Sequence, residues 1–228
     1  MRFVPGTPTL THPKEKLATR VSITREMCAG GLKYIAPVLA GVTSAEGQFS
    51  IELDKCEIPL DDPTQGEVAG RFMVHSIEIG PGMLVKELAA VLGRAGYARL
   101  EDESTIPFRM ADGRVHHQNL GLVFPEFTIR SAGSVGFDQS LDLRVEVPVP
   151  TQWMSNLNTQ GRPLLGVLEK SLEGQTIQVA VGGTLQQPRL DRARLQRQNR
   201  QFIERATRNV IRDQIDRGLQ DLFAPPRR

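Results

Sequence analysis

Between Ile106 and Val147 the sequence reads as four runs of alternating apolar and polar residues joined by very short punctuation, and few folds accommodate that pattern. "IPFRM" and "RVHHQNLGLVF" flank "ADG", a hairpin signal; "FTIRSAGSVGF" follows, then "DQS", then "LDLRVEV". In the last run Leu141, Leu143, Val145 and Val147 fall on one side and Asp142, Arg144 and Glu146 on the other. Four consecutive strands with turns this short form an antiparallel meander. One apolar and one polar face suit a sheet that is wet on one side.

Upstream, Phe49, Ile51 and Leu53 alternate with Ser50, Glu52 and Asp54 in "GQFSIELDK", the pattern of a half-buried strand. "PLDDPTQGE" is a turn-rich loop. "VAGRFMVHSIEI" is a second strand whose alternation slips near Met73, which predicts a bulge. "LATRVSI" reads as a short strand, and Thr24 as the N-cap of a helix through Met27, Cys28, Leu32 and Ile35. Gly30 and Gly31 weaken that helix and Pro37 ends or bends it. "GPGMLVKELAAVLG" predicts a short helix with Leu84, Leu88 and Val91 on one face and Gly93 at its end.

Downstream, "PVPTQWMSNLNTQG" is a loop carrying the only tryptophan, Trp153, and "RPLLGVLEKSLEG" a brief helix. "TIQVAVGGT" returns to strand with Ile177, Val179 and Val181 on its apolar side. After Pro188 a single amphipathic helix is expected over Arg189 to Phe223. Three segments follow: an irregular 1–16, a β-rich domain over 17–188, and a basic helix over 189–228.

The formal charge of +2 hides an asymmetry. Residues 189–228 hold eleven Arg and five acidic residues (11 − 5 = +6), which leaves −4 for everything before them. A body of that sign is a poor nucleic-acid surface, so no nucleic-acid partner is expected. Cys28 and Cys56 form no CxxC and have no His at metal-ligand spacing; a disulfide and two buried thiols both remain open. No run of about eighteen apolar residues and no export-signal pattern occurs, so any anchor or signal is expected upstream of Met1.

The chemistry-bearing residues do not converge. His116 and His117 are adjacent, so in a strand they point to opposite faces and cannot chelate one metal together. Neither GxSxG nor GxxxxGK[ST] occurs, and "SAGSVG" sits within strand alternation. Asp61-Asp62 and Glu101-Asp102-Glu103 read as solvated loop carboxylates. The expectation is a protein that is not an enzyme, with no metal and no cofactor.

The order "MADGRVHHQNLGLVFPEFTIRSAGSVGFDQSLDLRVEVPVP" followed by "IQVAVGGTLQQPRLD" resembles the C-terminal region of AsmA-like proteins. The residues that carry the resemblance are Asp112 and Gly113, then Gly133, Val135, Phe137, Asp138, Leu141, Asp142 and Leu143, then Gly182, Gly183, Thr184, Leu185, Pro188 and Asp191. It covers roughly Ile106 to Asp191. It implies a mainly β fold with flanking helices: a curved, partly open antiparallel sheet, groove-like, whose concave apolar face carries acyl chains, completed here by the long C-terminal amphipathic helix. It also implies a place in the periplasm or cell envelope of a diderm bacterium.

On this reading the lipid-facing residues are Phe127, Ile129, Val135, Phe137, Leu141, Leu143, Val145, Val147, Ile177, Val179 and Val181, and the partner is a phospholipid or other acyl lipid. Further partners are a membrane surface, upstream repeats or envelope proteins. The rival is that helices pack on the sheet and its apolar face is an ordinary core. An alternative function is an assembly module that pairs through open sheet edges. Pro188 and the glycines before it are expected to stop the last strand ahead of the basic helix, which caps the sheet in preference to resting on a membrane.

Overall fold

A computed structural model describes residues 8–92, 98–124, 127–148 and 175–191, with residues 197, 201 and 208; the side chains of 91 and 92 lie outside that description. The chain divides into two compact units, Met1–Val147 with Gln178–Asp191, and Pro148–Ile177 with Arg192–Arg228. Trp153, its loop and the brief helix after it lie outside the described residues. So does the basic helix, except that Arg197, Gln201 and Arg208 are helical and exposed.

Eleven strands of the described residues form one sheet. They are β1 (Thr9–Thr11), β2 (Glu15–Ser22), β3 (Ala45–Pro59), β4 (Glu67–Ile79), β5 (Ala98–Leu100), β6 (Ser104–Ala111), β7 (Arg114–Phe124), β8 (Phe127–Gly136), β9 (Leu141–Pro148), β10 (Thr176–Gly183) and β11 (Pro188–Leu190). The order is β1-β3-β4-β5-β7-β8-β9-β10-β11; β2 also pairs with β3, and β6 fills the space between β4 and β7 beside β5. The predicted meander is β6 to β9. Its first turn uses Asp112 (φ 51) and Gly113 (φ 69), the two left-handed positions that a two-residue hairpin requires.

Charge and burial separate the two faces. On the polar face Arg71 reaches Glu52 (3.0 Å) and Asp54 (3.3 Å), Lys14 meets Asp54 (3.1 Å), and Lys55 bridges Glu57 and Glu67. On the other face Phe49, Leu53, Phe72, Val74, Ile77, Ile106, Leu120, Leu122, Ile129 and Val135 are buried. The bulge predicted near Met73 falls at His75, where pairing jumps from Gln48↔Ser76 to Phe49↔Val74.

Thr24 caps α1 (Arg25–Met27), its Oγ1 accepting from the Met27 N–H at 3.3 Å. The predicted helix then loosens into a π turn over Cys28–Leu32, with Gly30 outside helical geometry, before α2 (Lys33–Ile35) and a 3-10 turn at Pro37–Leu39. The consecutive glycines have no side chain to oppose that distortion. α2 lies against β7 and β8, while α3 (Met83–Leu92) lies against the 3-10 turn and β11. Helices therefore pack on part of the sheet, as the rival expectation had it.

Two expectations are corrected. Residues 1–16 are not irregular throughout, because Thr9–Thr11 pairs with Glu57–Pro59 and β2 begins at Glu15. Nor does Pro188 end the last strand before a helix: Pro188, Arg189 and Leu190 fold back on Gly183, Gly182 and Val181. Thr184 and Gln187 exchange backbone hydrogen bonds (both 3.1 Å), so the next pair, Gly183↔Pro188, is a non-hydrogen-bonded one. A proline there forfeits no ladder bond.

Candidate functional site

The residues quoted for the family resemblance gather at one end of the sheet. The Asp112–Gly113 turn, the 137–140 turn and the 184–187 turn stand in a row with the loop holding Thr64. Backbone hydrogen bonds join them: Gly113 N–H to Thr64 O (3.2 Å), Phe137 N–H to Gly113 O (3.0 Å), and Leu185 N–H to Gln139 O (3.0 Å). Thr184 also bridges Ser140. Arg114 clamps the same region, donating to Ser134 Oγ and Ser140 Oγ, both at 2.8 Å. Hydrogen bonds from Ser140 hold the Asp138 carboxyl below its ordinary value, and those from Thr64 do the same for Asp62. Gly133 (φ 145) lets β8 and β9 close, since a Cβ there would overlap the Asp142 carbonyl. These residues build the fold's edge.

The expected lipid-facing residues share the apolar face. Ile129, Val135, Leu141, Leu143, Val145, Val147, Ile177, Val179 and Val181 are all buried within the chain itself, and Phe127 is half-buried. In register, Ser131, Gly133 and Val135 of β8 stand opposite Val145, Leu143 and Leu141 of β9. Phe137 is placed differently: it packs edge-on against Tyr34 of α2, ring centroids 5.9 Å apart.

At the other end, β3 begins and β4 ends, with β5 and the end of β7 beside them. There an open groove of about 460 Å³ wraps the sheet's rim. Two adjacent cross-strand rows shape it. Glu46↔Glu78, Glu78↔Arg99 and Arg99↔Val123 form one row on the polar face. Ile79, Ala98 and Phe124 supply its buried apolar floor, and Phe124 stacks on Phe127 at 4.9 Å, where β8 begins. Arg99 is engaged by Asp102. Glu46 and Glu78 have no ion pair or hydrogen bond among the described residues. The sequence reading missed this groove, because its charged residues are brought together only by strand register.

Two cross-strand serine–histidine pairs also went unforeseen. Ser50 Oγ lies 2.8 Å from His75 Nε2, with Glu103 3.7 Å from His75 Nδ1, an order that resembles nucleophile, base and acid. Yet Ser50 is 5% exposed and its Oγ already accepts the Arg20 N–H at 2.9 Å. Arg20 sits at φ 48 where β2 slips register, so the pair clips that irregular edge strand to the sheet. His117 Nε2 lies 3.1 Å from Ser131 Oγ on the apolar face. His117 is 1% exposed, its Nδ1 has no partner among the described residues, and burial, with His116 as a lesser cause, pushes its pKa down to about 4. His116 is exposed on the opposite face.

Both cysteines are buried free thiols, and burial raises Cys28 to about 11. Among the described residues no three His, Cys, Asp or Glu side chains are grouped to hold a metal, and no helix is long and apolar enough to cross a membrane. No family model, curated protein or solved structure matches the chain.

Proposed function

We propose that this chain is a non-enzymatic lipid-binding or lipid-transfer segment of an AsmA-like envelope protein in a diderm bacterium, holding acyl chains along the apolar face of β8 to β10. The observation that carries the reading is the chemistry of that face. Ile129, Val135, Leu141, Leu143, Val145, Val147, Ile177, Val179 and Val181 form a strip without a charged side chain, and its β8 end begins at the Phe124–Phe127 stack beside the groove. Because the strip is buried by the chain itself, acyl chains enter by replacing protein cover with hydrocarbon. The strip then stays out of water, and the exchange is favourable only where the displaced cover keeps its own apolar surface buried.

The competing reading, assembly through open edges, is less well supported. β2 slips register twice, at Lys16–Ala18 and Ala18–Val21, and carries Glu15, Lys16 and Arg20. Bulges and charges on an edge oppose the addition of another strand. Leu17, 56% exposed on β2, is the feature that favours pairing.

The test is organic extraction of the whole chain purified from a diderm host, followed by mass spectrometry. Phospholipid near one molecule per chain is expected. A lipid-free protein that takes up none from vesicles, and whose edge pairs with a second copy in sedimentation, would replace this reading with the assembly one.

A further inference from the structure

We infer that the groove at the open end of the sheet is a headgroup site selective for a phospholipid bearing a primary ammonium, of the phosphoethanolamine class. This inference rests on the lipid-binding reading and names the ligand's polar end.

The rim of the groove holds an electrostatic anomaly. Glu46 and Glu78 stand directly opposite one another on neighbouring strands, where side chains are about 5 Å apart and like charges repel. Several other carboxylates on the polar face are compensated by a cation. Glu52 and Asp54 share Arg71, Glu57 and Glu67 share Lys55, Glu101 takes Arg130 at 2.8 Å, and Asp102 takes Arg99. Glu46 and Glu78 face each other with no ion pair among the described residues, Arg99 standing opposite Glu78 on the next strand but engaged by Asp102, and they do so on the rim of a groove with an apolar floor.

Charge complementarity selects the occupant. Among the described residues that line the groove, Glu46 and Glu78 stand against Arg99, two negative charges and one positive, and that arginine is already engaged by Asp102, so an anionic headgroup is repelled and an ammonium attracted. A primary ammonium offers three N–H donors, enough to bond both carboxylates; a quaternary ammonium offers none. Arg99 is next in the row after Glu78, and the guanidinium nitrogens that do not hold Asp102 are available to a phosphate one ethylene unit from the ammonium. The tails leave over Phe124, whose ring stacks on Phe127 where the apolar strip starts. Ser44, which completes the rim, is held by the Gly80 N–H donating to its carbonyl at 2.9 Å.

The experiment titrates the whole chain by calorimetry with water-soluble dihexanoyl phosphatidylethanolamine, phosphatidylcholine and phosphatidylglycerol, each below its micelle concentration. Wild type is expected to bind the ethanolamine lipid about tenfold more tightly than the glycerol lipid, with choline between them. The Glu46→Gln/Glu78→Gln variant, checked for folding by circular dichroism, is expected to lose that preference and to bind the glycerol lipid at least as well as wild type. Equal binding of all three by wild type, or a preference that survives in the variant, overturns the headgroup assignment alone. Binding of none of them overturns it together with the lipid reading.

Discussion

At one end of the sheet the connections are tied to one another through backbone hydrogen bonds, while at the other β3, β4, β5 and β7 begin or end around a groove. Both ends carry an arginine and several carboxylates. At the tied end Arg114 is spent on Ser134 and Ser140, and Asp62 and Asp138 receive hydrogen bonds from their own turns. At the groove end Glu46 and Glu78 have no such use, and their mutual repulsion works against the fold. A polar group that holds turns together adds stability; one left uncompensated at a rim keeps its interaction for a ligand. On the proposed reading, stability and binding are thereby separated along the strands.

The strip between the two ends sets the largest effect. Leu143 is 1% exposed and faces Gly133, so Leu143→Asp places a carboxylate where nothing solvates it. A loss of about 4 kcal/mol or more is expected in urea unfolding. If the variant instead unfolds like wild type but no longer carries lipid, the strip is open to water when empty and belongs to the groove rather than to the core.

His117 supplies the next effect, through pH. Its pKa in the folded protein, about 4, lies below the ordinary 6.5, so between those values the unfolded chain holds the proton and the folded chain does not. Stability is full above pH 6.5 and falls as the pH drops through that window, by about 3 kcal/mol in total. Equilibrium unfolding of wild type and His117→Leu across pH 4 to 7 checks it. The variant loses this part of the slope; an unchanged slope would assign it to other groups.

The two arginines give the direct contrast. Arg114→Ala removes bonds to two serines and to the Ser134 carbonyl, and about 2 kcal/mol of stability should go with them. Arg99→Ala breaks only an exposed pair with Asp102 and should cost about 0.5 kcal/mol or less. Equal losses would mean that the groove rim is as structural as the turn belt, with no division of labour between the two ends.

How much of this was legible depended on the range of the forces involved. Alternation in "LDLRVEV" places Leu141, Leu143, Val145 and Val147 together because side chains in a strand repeat every two residues, and Asp112-Gly113 marks its hairpin because both positions need positive φ. Those are local constraints. Pro188 misled because a proline that ends a strand and one that opens a hairpin's return strand look alike until the Thr184–Gln187 pair fixes which positions need an N–H. The groove was invisible for a different reason. Glu46, Glu78 and Arg99 meet only through the registers of β3, β4 and β5, and the bulge at His75 shifts the first of those by one residue. Likewise His117 was assigned correctly to a face opposite His116, yet nothing local revealed which face was buried.

The smallest effect is the most telling for the groove. Replacing Glu78 with Gln keeps the shape of the rim and removes one of two like charges that face each other across β3 and β4. Stability should rise, by no more than about 0.5 kcal/mol, since the repulsion from Glu46 is relieved while only the weaker attraction to Arg99, already engaged by Asp102, is lost. Salt provides the control. Screening weakens the Glu46–Glu78 repulsion in wild type, so the advantage of Glu78→Gln should shrink as sodium chloride is raised toward 1 M. Thermal melts of both proteins at low and high salt, without lipid, read the difference. A variant less stable than wild type at low salt would mean that Glu78 is held by an attractive partner in the free protein, and the charge that recommends the groove for an ammonium would already be in use.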